Sequence, residues 1–203
     1  MQTSKHHTPV RTMTQMAVLI AIMLVLELTG LGMLKIGPLE MTILQFPVIV
    51  GAILMGPGAG AGLGLVFGLI SFWECFGKSP FGATLLGIQP FYTFLVCVPT
   101  RTLMGFACGL IYHGLKRMTG EQSIIPYAAA SLSGALLNTL FFMTALICLF
   151  GSTAYIQGFM DMAGTQNFLA FACWFVGFQG LVEAVLCAFL GAVVSRTVHR
   201  VMK

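Results

Sequence analysis

Long apolar segments alternate with short polar connections along the whole chain. A helix needs roughly 20 mostly apolar residues to cross a bilayer. We therefore predict six spans, at about 13–32, 41–55, 58–76, 89–115, 124–151 and 168–195. The second is short, since about 15 residues make only about 22 Å of helix, and we expect the preceding stretch, residues 35–40, to supply the missing length. The pattern predicts an all-α integral membrane protein, a six-transmembrane-helix bundle that forms a single domain over residues 1–203.

Composition supports a membrane protein and argues against other classes. Of the 203 residues, 58% are hydrophobic and only 8% are charged, whereas soluble domains carry about 25% charged residues. The net charge of +4 is scattered, without the basic stripe and interleaved aromatics that indicate nucleic-acid binding. The six cysteines lie in or beside apolar segments, without a CxxC pair or a nearby histidine, so we interpret them as packing residues rather than metal ligands. We find no HExxH, GxSxG or Walker motif, and we expect no cofactor and no nucleotide site.

The basic residues predict the orientation of the chain. Six crossings place seven of them on one side, namely Lys5, Arg11, Lys116, Arg117, Arg196, Arg200 and Lys203. Because cytoplasmic segments are enriched in Lys and Arg, both termini are predicted to be cytoplasmic. A chain with five spans would divide these residues between the two faces. The connections at about 33–40, 77–88 and 152–167 are then external, and they are the longer and more polar ones.

Small residues recur at four-residue spacing on several predicted helices. Gly60, Gly64 and Gly68 form a stripe on the third, and the fourth carries a similar glycine pair. In lipid, small residues allow two helix backbones to approach closely, and for these stripes we favour packing inside the bundle. Ala17 and Ala21 instead stand alone on a helix of bulky residues, where internal packing and docking of a partner protein are equally favoured.

Three strongly polar residues lie near the middles of predicted spans, Arg101 in the fourth, Asn138 in the fifth and Glu183 in the sixth. A charge at that depth costs about 2.5–3.5 kcal/mol on insertion scales, so such residues usually face a cavity, a partner or a solute. Gln179 lies one turn from Glu183. Two interpretations are equally favoured: an Arg101–Glu183 ion pair that fixes helix register, and the lining of a ligand cavity. A second polar group lies nearer the outer ends of the helices, and there we favour ordinary interfacial placement: Glu27, Gln45, Trp73 and Glu74.

Several stretches of the chain resemble one family of membrane proteins. They are residues 49–57, residues 99–101, residues 134–139 and Glu183. Together they resemble the substrate-binding S components of energy-coupling factor (ECF) transporters. The Ala17–Ala21 pair is similar to the small-residue motif by which that family docks its transmembrane coupling subunit.

The resemblance implies a vitamin-capturing subunit of a bacterial or archaeal cell membrane that is not itself an enzyme. Members bind a micronutrient from outside, in a pocket formed by helices 4–6 and the outer loops, and then associate with a coupling subunit and two cytoplasmic ATPases. The pantothenate-type branch is the most similar, with folate, cobalamin or lipoate as alternatives. The residues we predict to bind the solute are Arg101, Asn138, Glu183, Gln179, Trp73, Glu74 and Asn167.

The predicted site suits a small carboxylate. Arg101 would bind the carboxylate, and Asn138 with the outer-loop amides would bind hydroxyl and amide groups. Two other classes remain open from the sequence. One is a solute carrier or channel that works without ATPases, and the other is a structural subunit of a membrane complex.

Overall fold

The computed structural model describes residues 9–30, 32–36, 39–119 and 125–165, together with positions 167, 170–172, 180, 187 and 197. Within these residues the elements are, in chain order, α1 (Pro9–Leu28), β1 (Met33–Ile36), β2 (Leu39–Thr42), α2 (Gln45–Met55), α3 (Pro57–Glu74), α4 (Pro80–Ile88), α5 (Pro90–Thr119), α6 (Ile125–Phe150) and α7 (Ala154–Met162). Among the described residues, three helices are long and apolar enough to cross a membrane, namely α1 from Val10 onward, α5 and α6. The fold is therefore that of a helical membrane protein.

The helices agree with five of the six predicted spans. Each boundary of α1, α2, α3, α5 and α6 lies within four residues of the predicted one. The helices α4 and α7 occupy two of the predicted external connections and are capped by Ser79 and Thr153. The sixth predicted span, 168–195, lies mostly outside the described residues, and Gln179 and Glu183 lie outside them as well. Its described positions 170–172, 180 and 187 are helical.

A β-hairpin connects α1 to α2. Its strands are antiparallel, with Lys35 opposite Glu40. The expectation that residues 35–40 lengthen the second span is wrong, because Lys35 and Ile36 pair with Glu40 and Leu39 in the hairpin instead. The helix α2 consists of only 11 residues, about 16 Å. It begins inside the bundle rather than at one end of it, because a Cβ added to Gly105, near the middle of α5, would lie 3.0 Å from Cγ1 of Val48, about one turn after Gln45.

The short helix α2 lies at the centre of the described fold. It packs against α1, α3, α5 and α6. Gln45 and every residue from Pro47 to Ile53 are buried, whereas a helix at the surface of a bundle buries only one stripe. A helix that is apolar on all sides is stable only when it is enclosed, and the sequence of α2 has this character.

The glycine stripe of α3 packs directly on the backbone of α5. A Cβ added to Gly60 would collide with the carbonyl oxygen of Gly105, and one added to Gly64 would collide with that of Arg101. One turn further, a Cβ on Gly68 would lie 2.7 Å from Cα of Val98. The prediction of packing inside the bundle is confirmed. The order of these contacts also shows that α3 and α5 run antiparallel.

Contacts along α5 and α6 show that these helices are antiparallel too. The thiol of Cys108 donates to the carbonyl of Ala130 at 3.2 Å. Earlier in α5 and later in α6, the guanidinium of Arg101 lies on the ring of Phe142. We call the end of the bundle at which α5 begins, and α3 and α6 end, the upper end, and α2 runs away from it as α5 does. The end of α1 is also upper, because Lys78, just after α3, donates to Glu27 at 2.6 Å.

Candidate solute-binding site

Arg101 lies in the bundle interior between two aromatic rings. Its side chain is 8% exposed, and its Cζ lies 4.8 Å from the ring centroid of Phe142 on α6 and 5.6 Å from that of Phe67 on α3. Both distances fall within the range of a cation–π contact. The guanidinium is therefore held between α3 and α6, with its faces shielded by hydrocarbon.

Residues close to Arg101 in α5 orient its guanidinium toward the upper end of the bundle. Side chains in a helix lean toward its N-terminus, which for α5 is the upper end. One terminal nitrogen of Arg101 donates to the carbonyl of Val96 at 2.8 Å and to the hydroxyl of Thr100 at 3.2 Å. Pro99 lies inside the helix and lacks the N–H that would bind the carbonyl one turn above, which loosens this part of the backbone ladder. The cation is thus hydrogen-bonded by neutral groups of its own helix.

Arg101 has no acidic partner among the described residues. The one ion pair found there joins Lys78 to Glu27. The Nε–H of Arg101 is also buried without a hydrogen-bond partner within the described part of the chain. A buried donor left unpaired costs about 1–3 kcal/mol, and more when it is charged. This arrangement fits a site that an anion completes.

Asn138 and Gln45 lie at the same level, below Arg101. A Cβ on Gly134 of α6 would lie 2.8 Å from Cγ1 of Ile49 on α2, so these two positions are in contact. Gln45 is one turn above Ile49, and Asn138 is one turn above Gly134. Because α2 and α6 are antiparallel, both amide side chains come from the turn directly above that contact.

Both amides carry a buried oxygen that accepts no hydrogen bond in the described structure, Oε1 of Gln45 and Oδ1 of Asn138. Gln45 is 0% exposed and Asn138 is 7% exposed. Most buried side-chain polar atoms in proteins have a partner. Among the described residues, these two oxygens and Nε of Arg101 have none, and the three lie within about two helical turns. The prediction of interfacial placement is therefore wrong for Gln45. The sequence offered one signal for it, since Gln45 begins an apolar segment too short to span a membrane.

The other predicted site residues lie nearer the upper end or outside the described residues. Trp73 is 70% exposed and Glu74, its neighbour at the end of α3, is 2% exposed. Asn167 is exposed, and its carbonyl accepts the N–H of Phe171 at 2.9 Å, as at the start of a helix. The structure thus places Asn138 one turn from Phe142, which contacts Arg101, while a role in solute binding stays a prediction for all of these residues.

A charged cluster lies at the upper end beside these residues. The ammonium of Lys78 donates to the Glu27 carboxylate, and this hydrogen bond raises the pKa of Lys78 above its usual value. Glu27 is 8% exposed and lies within hydrogen-bonding reach of Glu74. Both carboxyl groups are therefore buried rather than solvated, and Lys78 neutralises one of them. The cluster ties the end of α1 to the connection between α3 and α4.

These features define a helical membrane protein with an enclosed cationic and amide-rich site. The profile of the family described as "ECF transporter, substrate-specific component" matches residues 11–195, almost the whole chain. The chain therefore belongs to the substrate-specific components of ECF transporters, a family of membrane transport proteins.

Two curated relatives carry the name of one vitamin. The chain is 32% identical over 151 residues to the pantothenic acid transporter PanT of Lactococcus lactis subsp. cremoris, covering 68% of this chain and 73% of the relative. It is 26% identical over 167 residues to the pantothenate transporter PanT of Leuconostoc mesenteroides subsp. mesenteroides, covering 81% of this chain and 78% of the relative.

Proposed function

We propose that this chain is the pantothenate-binding subunit of an ECF-type, ATP-driven importer. Both relatives described above are named as pantothenate transporters, which supports this choice over folate, cobalamin or lipoate. In this proposal the chain crosses the membrane six times with both termini in the cytoplasm. The upper end of the bundle then faces outward, and the solute enters from there.

One observation carries the proposal: a buried arginine without a carboxylate partner among the described residues. Pantothenate carries one carboxylate, one amide and two hydroxyl groups. Arg101 binds the carboxylate, because a charge-assisted hydrogen bond in a shielded site is about twice as strong as a neutral one. The orphaned oxygen of Asn138 accepts a donor from the same solute.

An alternative use of Arg101 is an ion pair with Glu183. This pair would neutralise the guanidinium and leave the solute carboxylate without a cation. The two cases differ in a measurable way, because a guanidinium that binds the solute favours an acid over the corresponding alcohol, and its removal lowers that preference. Pantothenol, in which a primary alcohol replaces the carboxylate of pantothenate, is therefore the decisive probe.

The experiment measures binding of pantothenate and pantothenol to the purified protein in detergent by titration calorimetry. Wild-type protein should bind pantothenate at least tenfold more tightly than pantothenol, and Arg101→Met should remove most of that preference. Loss of one hydrogen bond to a charged group costs about 1.5–3 kcal/mol, or roughly tenfold to a hundredfold in Kd. Arg101→Lys keeps the charge without the planar donor fork and should retain part of the preference for pantothenate over pantothenol. An unchanged preference in well-folded Arg101→Met would contradict a role for Arg101 in carboxylate binding.

The coupling partners are a transmembrane subunit and two cytoplasmic ATPases. Ala17 and Ala21 lie on the exposed face of α1, whose opposite face packs on α2 and α3. An exposed small-residue pair leaves room for a second helix to approach closely. Gentle solubilisation followed by affinity purification should recover the ATPases with this chain. Tight pantothenate binding and uptake without them would favour a stand-alone carrier, and absence of any solute binding would favour a structural subunit.

A further inference from the structure

We infer that Gln45, at the start of α2, binds the hydroxyl-bearing end of the solute through the free end of its carboxamide, below the carboxylate held by Arg101. This inference rests on the proposed function. It adds a residue from α2 to a pocket otherwise expected from the fourth, fifth and sixth predicted spans and the outer loops. It also assigns an orientation to the solute, with its carboxylate toward the upper end and its hydroxyl groups toward the centre of the bundle.

The burial of Gln45 is the first observation behind this inference. Its side chain is 0% exposed and makes one described hydrogen bond, from Nε2 to the sulfur of Cys187 at 3.1 Å. Sulfur is a weak acceptor, and Oε1 has no partner within the described residues. If the carboxamide is turned the other way, the thiol serves its oxygen and the nitrogen is left free. In either arrangement one polar end is buried without a partner among the described residues, which a purely structural amide would avoid.

The position of α2 gives the second observation. Because the hairpin replaces the upper part of this helix, α2 begins inside the bundle and its first residue reaches the interior. Leu44, just before Gln45, belongs to the same buried cluster as Phe67, and the ring of Phe67 lies beside the guanidinium of Arg101. The start of α2 therefore adjoins the structure that holds Arg101.

The relative heights of these groups give the third observation. Gln45 and Asn138 come from the turn above the Ile49–Gly134 contact, and Phe142, which touches Arg101, is one further turn up α6. One helical turn rises about 5.4 Å, and the guanidinium extends upward from Arg101 to the carbonyl of Val96. The cation and the two amides are thus separated along the bundle axis, with the cation above.

The chemistry of the free atoms orients the solute. Arg101 offers donors, which suit a carboxylate, whereas Oδ1 of Asn138, without a partner among the described residues, is an acceptor that requires a hydroxyl or amide hydrogen. The free end of the Gln45 carboxamide can serve a hydroxyl in either arrangement, because a hydroxyl both donates and accepts. Pantothenate has its carboxylate at one end and its two hydroxyl groups at the other. The donors of Arg101 above and the acceptor of Asn138 below therefore match the solute in only one direction.

The test compares pantothenate with N-(3,3-dimethylbutanoyl)-β-alanine, which keeps the carboxylate and the amide but lacks both hydroxyl groups. Wild-type protein should bind pantothenate more tightly than this analogue. Gln45→Met keeps the length of the side chain and removes its polar end, so it should weaken pantothenate binding by about tenfold and leave the Kd of the analogue unchanged. The preference for pantothenate over pantothenol, which reports on Arg101, should persist in Gln45→Met.

A matched control and a second variant keep this test decisive. Gln15→Met makes the same replacement at a half-buried position near the lower end of α1, away from the predicted pocket and the outer loops, and should change neither affinity. If Gln45→Met does not fold, Gln45→Asn withdraws the carboxamide by one methylene and should reduce the same preference. A melting curve for each variant separates loss of fold from loss of binding.

The outcomes separate this inference from the proposed function. Wild-type protein that binds no pantothenate would overturn both. Normal pantothenate binding, with the hydroxyl preference intact in folded Gln45→Met, would overturn the assignment of Gln45 alone. Loss of the preference over pantothenol in Gln45→Met, with the hydroxyl preference retained, would show that the solute lies in the opposite direction.

Discussion

Replacement of Gly64 by alanine tests how closely α3 must approach α5 to position Arg101. The added Cβ would collide with the carbonyl oxygen of Arg101, and it would lie 3.0 Å from both the carbonyl carbon of Arg101 and Cα of Thr102. All three atoms belong to the backbone, so no rotation of a side chain can relieve the contact. The two helices must therefore separate, and Arg101 must move with α5.

The expected loss of stability follows from two opposing contributions. Overpacking costs about 1–3 kcal/mol, and contact with backbone on every side favours the upper end of that range. Alanine is favoured over glycine within a helix by about 1 kcal/mol. The net loss is about 2 kcal/mol, which lowers the Tm of a protein of this size by about 4–8 °C. Because the displacement occurs at Arg101, pantothenate affinity should fall as well.

The assay is thermal unfolding of the purified protein in detergent, with pantothenate binding measured on the same samples. Gly58→Ala is the matched control, because it makes the same change on the same helix where a Cβ would meet nothing within 4 Å. Its Tm should be unchanged or slightly higher. If Gly64→Ala melts at or above the temperature of Gly58→Ala, the close approach of α3 to α5 described above is incorrect.

Three further predictions address other parts of the chain. Replacing both Ala17 and Ala21 by leucine should abolish pantothenate uptake by cells and spare binding by the isolated protein; lost binding would indicate internal packing instead. Because its pKa is raised, Lys78 stays charged at neutral pH and its ion pair with Glu27 stabilises the fold there; the pair is lost only as the pH rises through that raised pKa. Lys78→Met should therefore flatten the decline of Tm at alkaline pH. Curves of Tm against pH that run parallel for the variant and the wild type would refute this. The sulfurs of Cys75 and Cys97 lie 4.0 Å apart and must approach by about 2 Å to form a disulfide. The oxidant diamide should therefore join them, and peptide mass spectrometry would detect the disulfide. Cys75→Ser should prevent its formation.

The helical segments of the described residues were predictable from the sequence because they depend on local properties. A long apolar run can satisfy its backbone in lipid only as a helix, so α5 and α6 were placed to within four residues. The packing role of the glycine stripe around Gly64 was also predictable, because close helix contact in lipid requires small residues at regular spacing. Arg101 and Asn138 were identified as candidates because polar groups are costly in the middle of an apolar segment.

The depth of Gln45 was not predictable in this way. An amide at the edge of an apolar run looks the same whether the run begins at the membrane interface or inside the bundle. The sequence pattern therefore predicts that Gln45 is interfacial and that residues 35–40 extend the second span. The hairpin of β1 and β2 removes that extension, which places the first residue of α2 in the interior.

The class of protein, the helical segments within the described residues and the polar candidates Arg101 and Asn138 follow from the sequence alone, because hydropathy and the energetic cost of burying charge act residue by residue. Only the tertiary structure decided that α2 lies at the centre of the bundle and that Gln45 stands level with Asn138 beneath Arg101. Those facts depend on which helices surround α2 and at what height each begins. Such relations join residues far apart in the chain, and no local pattern records them.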